Sequence, residues 1–304
     1  MKEDFYDSSK VKEKYLRFIK SQEVSGELFK DKIKQLNTYY IPISNMIYKN
    51  FSKNKKTKII GLAGGQGSGK STIAKILQII LKEKFNLEVV IFSLDDFYKT
   101  LKDRKKMSKI SNLFLTRGVP GTHDTKMLLD FLIKMKKKNF NELFIPKFNK
   151  ATDDRYKKDK WLKILQKPDV VIFEGWCVGV RSQKQNSLIK PVNELERIED
   201  KNLIWRKKVN YEIKTNYKRI YNLIDILIFL KVPSFKYVYK WRLLQEKKLK
   251  RSSKGKKIMS NEQIKKFIMF YERITRHMLR SQGSISKVLI NIDTNHRLKS
   301  IKFN

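Results

Sequence analysis

The feature that most constrains this chain is the string Gly64-Gly65-Gln66-Gly67-Ser68-Gly69-Lys70-Ser71, which satisfies G-x-x-x-x-G-K-[ST] in full. Glycines at these positions let the backbone turn so that successive N–H groups face one concave spot. A helix starting at Lys70 would add its positive N-terminal end to that spot. The context is the required one. Ile59–Ala63 is a short apolar run of strand length, and Ser71–Leu81 has helical period with no internal Gly or Pro. The segment reads as a phosphate loop that binds a nucleoside triphosphate. Lys70 is expected on the β- and γ-phosphates, the Ser71 hydroxyl on magnesium, and Thr72 beside them at the helix start.

A strand–loop–helix of this kind belongs in an α/β sheet, and the rest of the chain supplies one. Val89–Ser93, Val170–Glu174, Ile224–Lys231 and Val288–Ile292 are short, apolar and rich in β-branched residues, as buried parallel strands are. Helical stretches lie between them at Thr125–Lys138, Trp205–Tyr221, Phe235–Lys250 and Asn261–Ser281. The expected fold is α/β: a P-loop NTPase-type parallel sheet with helices on both faces. Residues 1–56 read as a peripheral helical N-terminal extension, with helical spacing over Val11–Ile19 and Leu28–Leu36 and Pro42 interrupting the second run. Residues 57–304 then form one catalytic domain. Lys247–Lys257, dense in basic residues with Ser252, Ser253 and Gly255, is the segment expected to be most mobile.

Composition matters at three points. Hydrophobic residues at 40% and aromatics at 12% exclude a disordered chain. No apolar run reaches the length of a membrane span, no signal peptide is legible, and Cys177 is the only cysteine, so the reading is a cytoplasmic protein without disulfides. The formal charge of +39 raises the alternative of a nucleic-acid-dependent ATPase. Against it, lysine greatly outnumbers arginine, the lysines spread over the whole length, and no aromatic–basic strip or zinc-ligand cysteines occur. Compositional drift with a solvated basic surface accounts for the charge, and no specific nucleic-acid or membrane partner is expected.

Two further strand ends separate a phosphotransferase from other nucleotide-binding proteins. After Val89–Ser93 come Asp95 and Asp96, where ligands sit in open α/β sheets. A hydroxyl acceptor needs a carboxylate to orient it and take its proton. Asp95 is the expected base; Asp96 is left between a substrate or metal-side role and a turn role. Val170–Glu174 ends in an acid placed to act on magnesium through water. Ser71, Asp95 and Glu174 are therefore the candidate metal-side oxygens, with ATP and Mg2+ as the expected cofactors.

These features together resemble the uridine kinase, pantothenate kinase and phosphoribulokinase group of P-loop kinases. The resemblance implies that the acid of the Ser93-Leu-Asp-Asp-Phe-Tyr98 segment, here Asp95, is the catalytic base. A narrower resemblance spans most of Ile59–Ile292. Ser93–Tyr98, Arg117-Gly-Val-Pro-Gly-Thr-His-Asp124, Pro146-Lys-Phe-Asn-Lys150, Phe173-Glu-Gly-Trp176 and Tyr237-Val-Tyr-Lys-Trp-Arg-Leu243 are similar to the plant-type D-glycerate 3-kinase family and its microbial relatives. The chain departs from that family's middle motif, with Asn149 in place of Asp and Ala151 in place of Ser. The resemblance implies transfer of a γ-phosphoryl group to a hydroxyl of a small hydroxy acid, D-glycerate first. Other small acceptors, such as a nucleoside, a pantothenate-like molecule or a sugar, remain the sibling readings.

A carboxylate-bearing acceptor calls for fixed cations. Arg117, His123 and Lys147 are the candidates, with Tyr98 beside the base. Asp124 stands immediately before a helix, so substrate contact and N-capping are both open to it. Arg242, in the helix Phe235–Lys250, is the candidate lid cation that would stabilise the transferring phosphoryl oxygens.

Overall fold

The computed structural model describes residues 8–23, 29–252 and 259–304, with side chains at 245–252 left aside. The expected second N-terminal run starts at Leu28 and the expected mobile segment ends at Lys257; both of those limits lie outside the described residues. Six strands form the main sheet: β1 Lys58–Gly64, β2 Val89–Ser93, β3 Val170–Gly175, β4 Ile226–Lys231, β5 Val288–Ile292 and β6 Leu298–Phe303. Their order is β6-β5-β4-β1-β3-β2. The first five are mutually parallel, and β6 pairs antiparallel with β5 at one edge.

Alternation along the central strands sorts their side chains into two cores, as a period of two requires. Ile59 and Ala63 of β1, Val171 and Phe173 of β3, and Phe229 of β4 fall in one buried cluster. Ile60 and Leu62, Val170 and Ile172, and Ile226, Ile228 and Leu230 fall in the other. Both faces are covered by helices, so β1 and β3 read as continuous apolar runs.

The helix Lys70–Phe85 follows the phosphate loop and contributes Ile73, Ala74, Ile76, Leu77, Ile80 and Leu81 to the second core. The described N-terminal helices share that core rather than standing at the periphery. Val11, Tyr15 and Ile19 of the helix Ser8–Gln22, with Ile43, Ile47 and Phe51 of the helix Ile41–Ser52, are buried in the same cluster. Lys14 adds an ion pair to Glu83 at 2.7 Å, and the Tyr39 hydroxyl donates to the Leu298 carbonyl of β6 at 3.2 Å.

Pro42 does not break the run it was expected to interrupt. The chain stays helical from Lys32–Gln35 through a π-helical turn, Leu36–Tyr40, into Ile41–Ser52. A π turn widens the backbone just where a proline ring would meet the preceding turn's carbonyl. The chain also forms two small hairpins between the helix Thr125–Lys136 and β3. One pairs Leu143–Ile145 with Leu162–Ile164, and the other pairs Phe148–Asn149 with Asp154–Arg155. Among the described residues no helix is long and apolar enough to cross a membrane.

Because Ile43 is fully buried between the N-terminal helices and the sheet, Ile43→Ala should cost about 2–5 kcal/mol of stability. Urea unfolding followed by two probes, one in each core, should still show a single coincident transition. Separate transitions would mean that the N-terminal helices fold apart from the sheet.

Candidate active site

The parallel register sets three strand ends side by side. Glu174 of β3 lies level with Leu62 of β1 and with Ser93 of β2. The phosphate loop, the β2 turn and the tip of β3 therefore open into one cleft of about 490 Å³.

In the phosphate loop, Gly67 and Gly69 adopt left-handed φ values of 76° and 86°, which favour glycine. The Lys70 ammonium donates to the carbonyls of Gly64 at 3.0 Å and Gly65 at 3.1 Å. Burial lowers its proton affinity, while the negative charges of Glu174 and Asp95 oppose that effect. The Ser71 hydroxyl donates to Glu174 Oε1 at 3.2 Å. Burial is the main reason that the Glu174 carboxyl is raised above its usual range. The Gln66 side-chain amide, which lines the cleft, is buried with neither polar atom partnered.

These residues fit a triphosphate with magnesium. The loop offers a half-buried cation and an orphaned amide at a helix N-terminus, and a hydroxyl stands against a carboxylate. Among the described residues no group of three or more His, Cys, Asp or Glu could hold a metal alone.

The β2 turn gives its two carboxylates different tasks. Leu94–Phe97 is a 3-10 turn closed by a capping box. The Ser93 hydroxyl accepts from the Asp95 N–H, and Asp96 Oδ2 accepts from the Ser93 N–H at 2.9 Å. Asp96 thus closes its own turn. Asp95 instead meets side chains: Tyr98 donates its hydroxyl to Oδ1 at 2.9 Å, and Lys150 donates to Oδ2 at 3.0 Å. Burial alone would raise the Asp95 carboxyl, but Lys150 and the Tyr98 hydrogen bond outweigh it and leave the group below its usual range. Asp96 is pushed up to about 6, chiefly by burial and further by the charges of Asp95 and Glu174, which outweigh the Ser93 N–H and Lys150.

The candidates for the acceptor side are placed unevenly. Arg117 lines the cleft, paired with Asp153 and set 5.4 Å from the centre of the Phe148 ring. Tyr98 lines it too, stacked on His123 at 4.5 Å and edge-on to Phe148 at 5.1 Å. His123 is fully buried behind Tyr98 and does not line the cleft. Its Nδ1 lies 2.5 Å from the Tyr217 hydroxyl, and burial lowers it to about 3, so it is a neutral packing group. Asp124 caps the helix Thr125–Lys136 through the Met127 N–H and pairs with Arg155 at 3.3 Å. Of its two open roles, capping is the one with a contact. Lys147 is exposed over the Tyr156 ring and also stands outside the cleft lining. Arg242 lines the cleft from the helix Phe235–Ser252, 5.7 Å from the centre of the Phe267 ring. Cys177 is buried and pushed up to about 12, which unfits it as a nucleophile.

Sequence reasoning had singled out neither Lys150 nor the aromatic wall of Phe148, Trp176, Phe267 and Tyr271 as site residues. Lys150 stood within a motif string, where its spacing signalled nothing. Phe267 and Tyr271 lie one turn apart on the long helix Asn261–Ile285 and look like ordinary core positions. Gly118, at φ 136°, leaves room for Tyr271, whose hydroxyl occupies the place a Cβ would need.

Arg104 was also missed, and it is fully buried. It donates to the carbonyls of Leu115 and Asp153 at 2.5 Å each and pairs with the Asp153 carboxylate at 2.9 Å. Asp153 in turn holds Arg117, so Arg104 braces the loop that carries a cleft cation.

Comparison with known proteins places the chain among kinases. The Phosphoribulokinase / Uridine kinase family profile matches residues 59–209. The chain is 36% identical over 244 residues to the uncharacterized kinase mug58 of Schizosaccharomyces pombe, covering 75% of this chain and 85% of that one. It is 28% identical over 255 residues to the chloroplastic D-glycerate 3-kinase of Arabidopsis thaliana. That match takes in 78% of this chain and only 53% of the plant protein, so the chain spans about half of that relative's length. In three dimensions it shares its fold with D-glycerate 3-kinase from Cryptococcus neoformans, at TM-score 0.73 and 22% identity, over 87% of this chain and 99% of that one.

Two outcomes follow from the buried charges. Arg104→Met should cost about 1.5–3 kcal/mol, because it removes the charged donor from the Leu115 and Asp153 carbonyls while Asp153 keeps Arg117; thermal or urea unfolding measures this. Asp96 binds protons more tightly folded than unfolded. Its contribution to stability is therefore complete below its unfolded value near pH 4 and lost as pH rises through about 6. Asp96→Asn should flatten that stretch of the stability–pH curve, and an unchanged slope would mean that another group causes it.

Proposed function

The chain belongs to the Phosphoribulokinase / Uridine kinase family, and we propose that it is an ATP-dependent kinase for a small hydroxy acid, D-glycerate first. One observation carries the reading: Lys70, the Ser71–Glu174 pair and Asp95 open into a single cleft whose other charged lining residues include Arg117, Lys150 and Arg242. A phosphoryl donor site and a proton acceptor thus face each other across a space sized for a small molecule, with cations around it. The plant relative's name gives D-glycerate as the first acceptor to test. The buried single cysteine is in keeping with a reducing cytoplasm.

In the proposed reaction Asp95 accepts the proton of the acceptor hydroxyl. That oxygen forms a bond to the γ-phosphorus as the bond from the γ-phosphorus to the β–γ bridging oxygen breaks, and ADP leaves. Lys70 and Arg242 offset the charge on the moving phosphoryl oxygens. Magnesium, when bound at Ser71 with Glu174 behind it, supplies further charge neutralisation at the phosphates. Tyr98, clamped between His123 and Phe148, holds the base in place through its hydrogen bond.

Mixing the protein with MgATP and D-glycerate should yield phosphoglycerate. Asp95→Asn should lower turnover by about 10²–10⁴-fold. A wild-type yield no higher than that of the variant rejects D-glycerate, and ADP release across a panel of nucleosides, sugars and pantothenate then identifies the acceptor.

A further inference from the structure

Lys150 lies just after the strand Phe148–Asn149, on the turn of a small hairpin whose far side carries Asp153. Arg104 and Arg117 both hold Asp153, so the base of this turn is braced. The Lys150 side chain itself is 65% exposed, yet its ammonium rests 3.0 Å from Asp95 Oδ2. It is thus a loosely anchored cation seated on a well-anchored carboxylate.

The two oxygens of Asp95 are held unequally. Oδ1 takes the hydroxyl of Tyr98, which is buried and packed between two rings, so that contact is fixed. Oδ2 takes Lys150, whose flexible four-carbon stem can swing. An acceptor hydroxyl that delivers its proton to Asp95 competes with Lys150 for Oδ2. While Lys150 stays, it weakens the carboxylate as a base by neutralising it. Moving it into water without a new partner would forfeit a charge-assisted hydrogen bond.

A hydroxy acid supplies that partner, because its own carboxylate sits a few bonds from the hydroxyl being phosphorylated. We propose that Lys150 is the residue that selects anionic acceptors: it leaves Asp95 for the acceptor's carboxylate, so the base is released only when an anion has bound beside it. Arg117, held by Asp153 and lining the same cleft, is a second cation for the carboxylate. A neutral polyol of the same size offers Lys150 no anionic partner, and neither does water. The device would also limit wasteful hydrolysis of ATP in the absence of acceptor. The proposal rests on the small-molecule kinase reading above and adds to it the residue that chooses among acceptors.

The test compares wild type with Lys150→Met, which keeps the length of the stem and removes the charge. Each is assayed with MgATP and D-glycerate, with MgATP and glycerol at high concentration, and with MgATP alone. For D-glycerate, kcat/KM should fall about tenfold to a hundredfold, chiefly through KM, as expected for one lost charged hydrogen bond. Glycerol turnover should not fall. Acceptor-free hydrolysis should rise several-fold, and that rise should vanish in the double variant Lys150→Met/Asp95→Asn. Equal losses on D-glycerate and glycerol would overturn the proposal, since they would mark a general structural effect. Hydrolysis that fails to rise would also overturn it, because Lys150 would then not be restraining the base. The hydrolysis arm uses no acceptor. A wild type that makes no phosphoglycerate therefore fails the D-glycerate reading alone, and the release of Asp95 is still decided by hydrolysis.

Discussion

The site depends on the level at which three parallel strands end. β1 delivers the glycines of the phosphate loop, β3 delivers Glu174 and β2 delivers Ser93, all at one height because their registers are locked together. Two apolar cores hold that register, since a slip of one residue would turn every β1 and β3 side chain into the wrong core. Polar chemistry is confined to the carboxyl ends, where the backbone leaves the sheet and a helix begins. The charge at the site follows from the same constraint. Lys70 is partly buried, and the negative charges of Glu174 and Asp95 offset the loss of hydration at its ammonium.

What the sequence revealed, and what it hid, divides along physical lines. The phosphate loop and the strands Val89–Ser93 and Val288–Ile292 were readable to the residue, because loop geometry and double-sided burial each restrict local composition. The expected β4 start at Ile224 moves to Ile226, where Asp225 turns the chain by accepting the Ile59 N–H at 2.7 Å. β6 escaped notice because Lys299, Ser300 and Lys302 give an edge strand too polar for a buried-strand pattern. At the site, Arg117 and Arg242 were legible as candidate cations from their motif settings. His123 and Lys147 had the right chemistry, but nothing in the sequence tells which side of a loop a residue faces. Arg104 could not have been found at all: in a chain with 69 basic residues, one arginine buried among carbonyls leaves no local mark.

That abundance of cations also alters how the acids are read. With 30 acidic residues against 69 basic ones, a carboxylate has cationic neighbours almost anywhere, so those around the cleft stand out by having specific tasks. Asp96 closes a turn, Asp124 caps a helix, Asp153 couples two arginines, and Asp95 alone of these four meets a lysine that can leave.

The polarity that hid β6 has a second effect. An edge strand is an open row of hydrogen-bonding groups onto which another chain could add a strand. On β6 the exposed lysines at 299 and 302 would have to lose water, and face an equally basic copy, before such pairing formed. The strand that completes the fold's rim thus also works as a colloidal safeguard, keeping a crowded solution of these strongly cationic molecules from zipping together edge to edge.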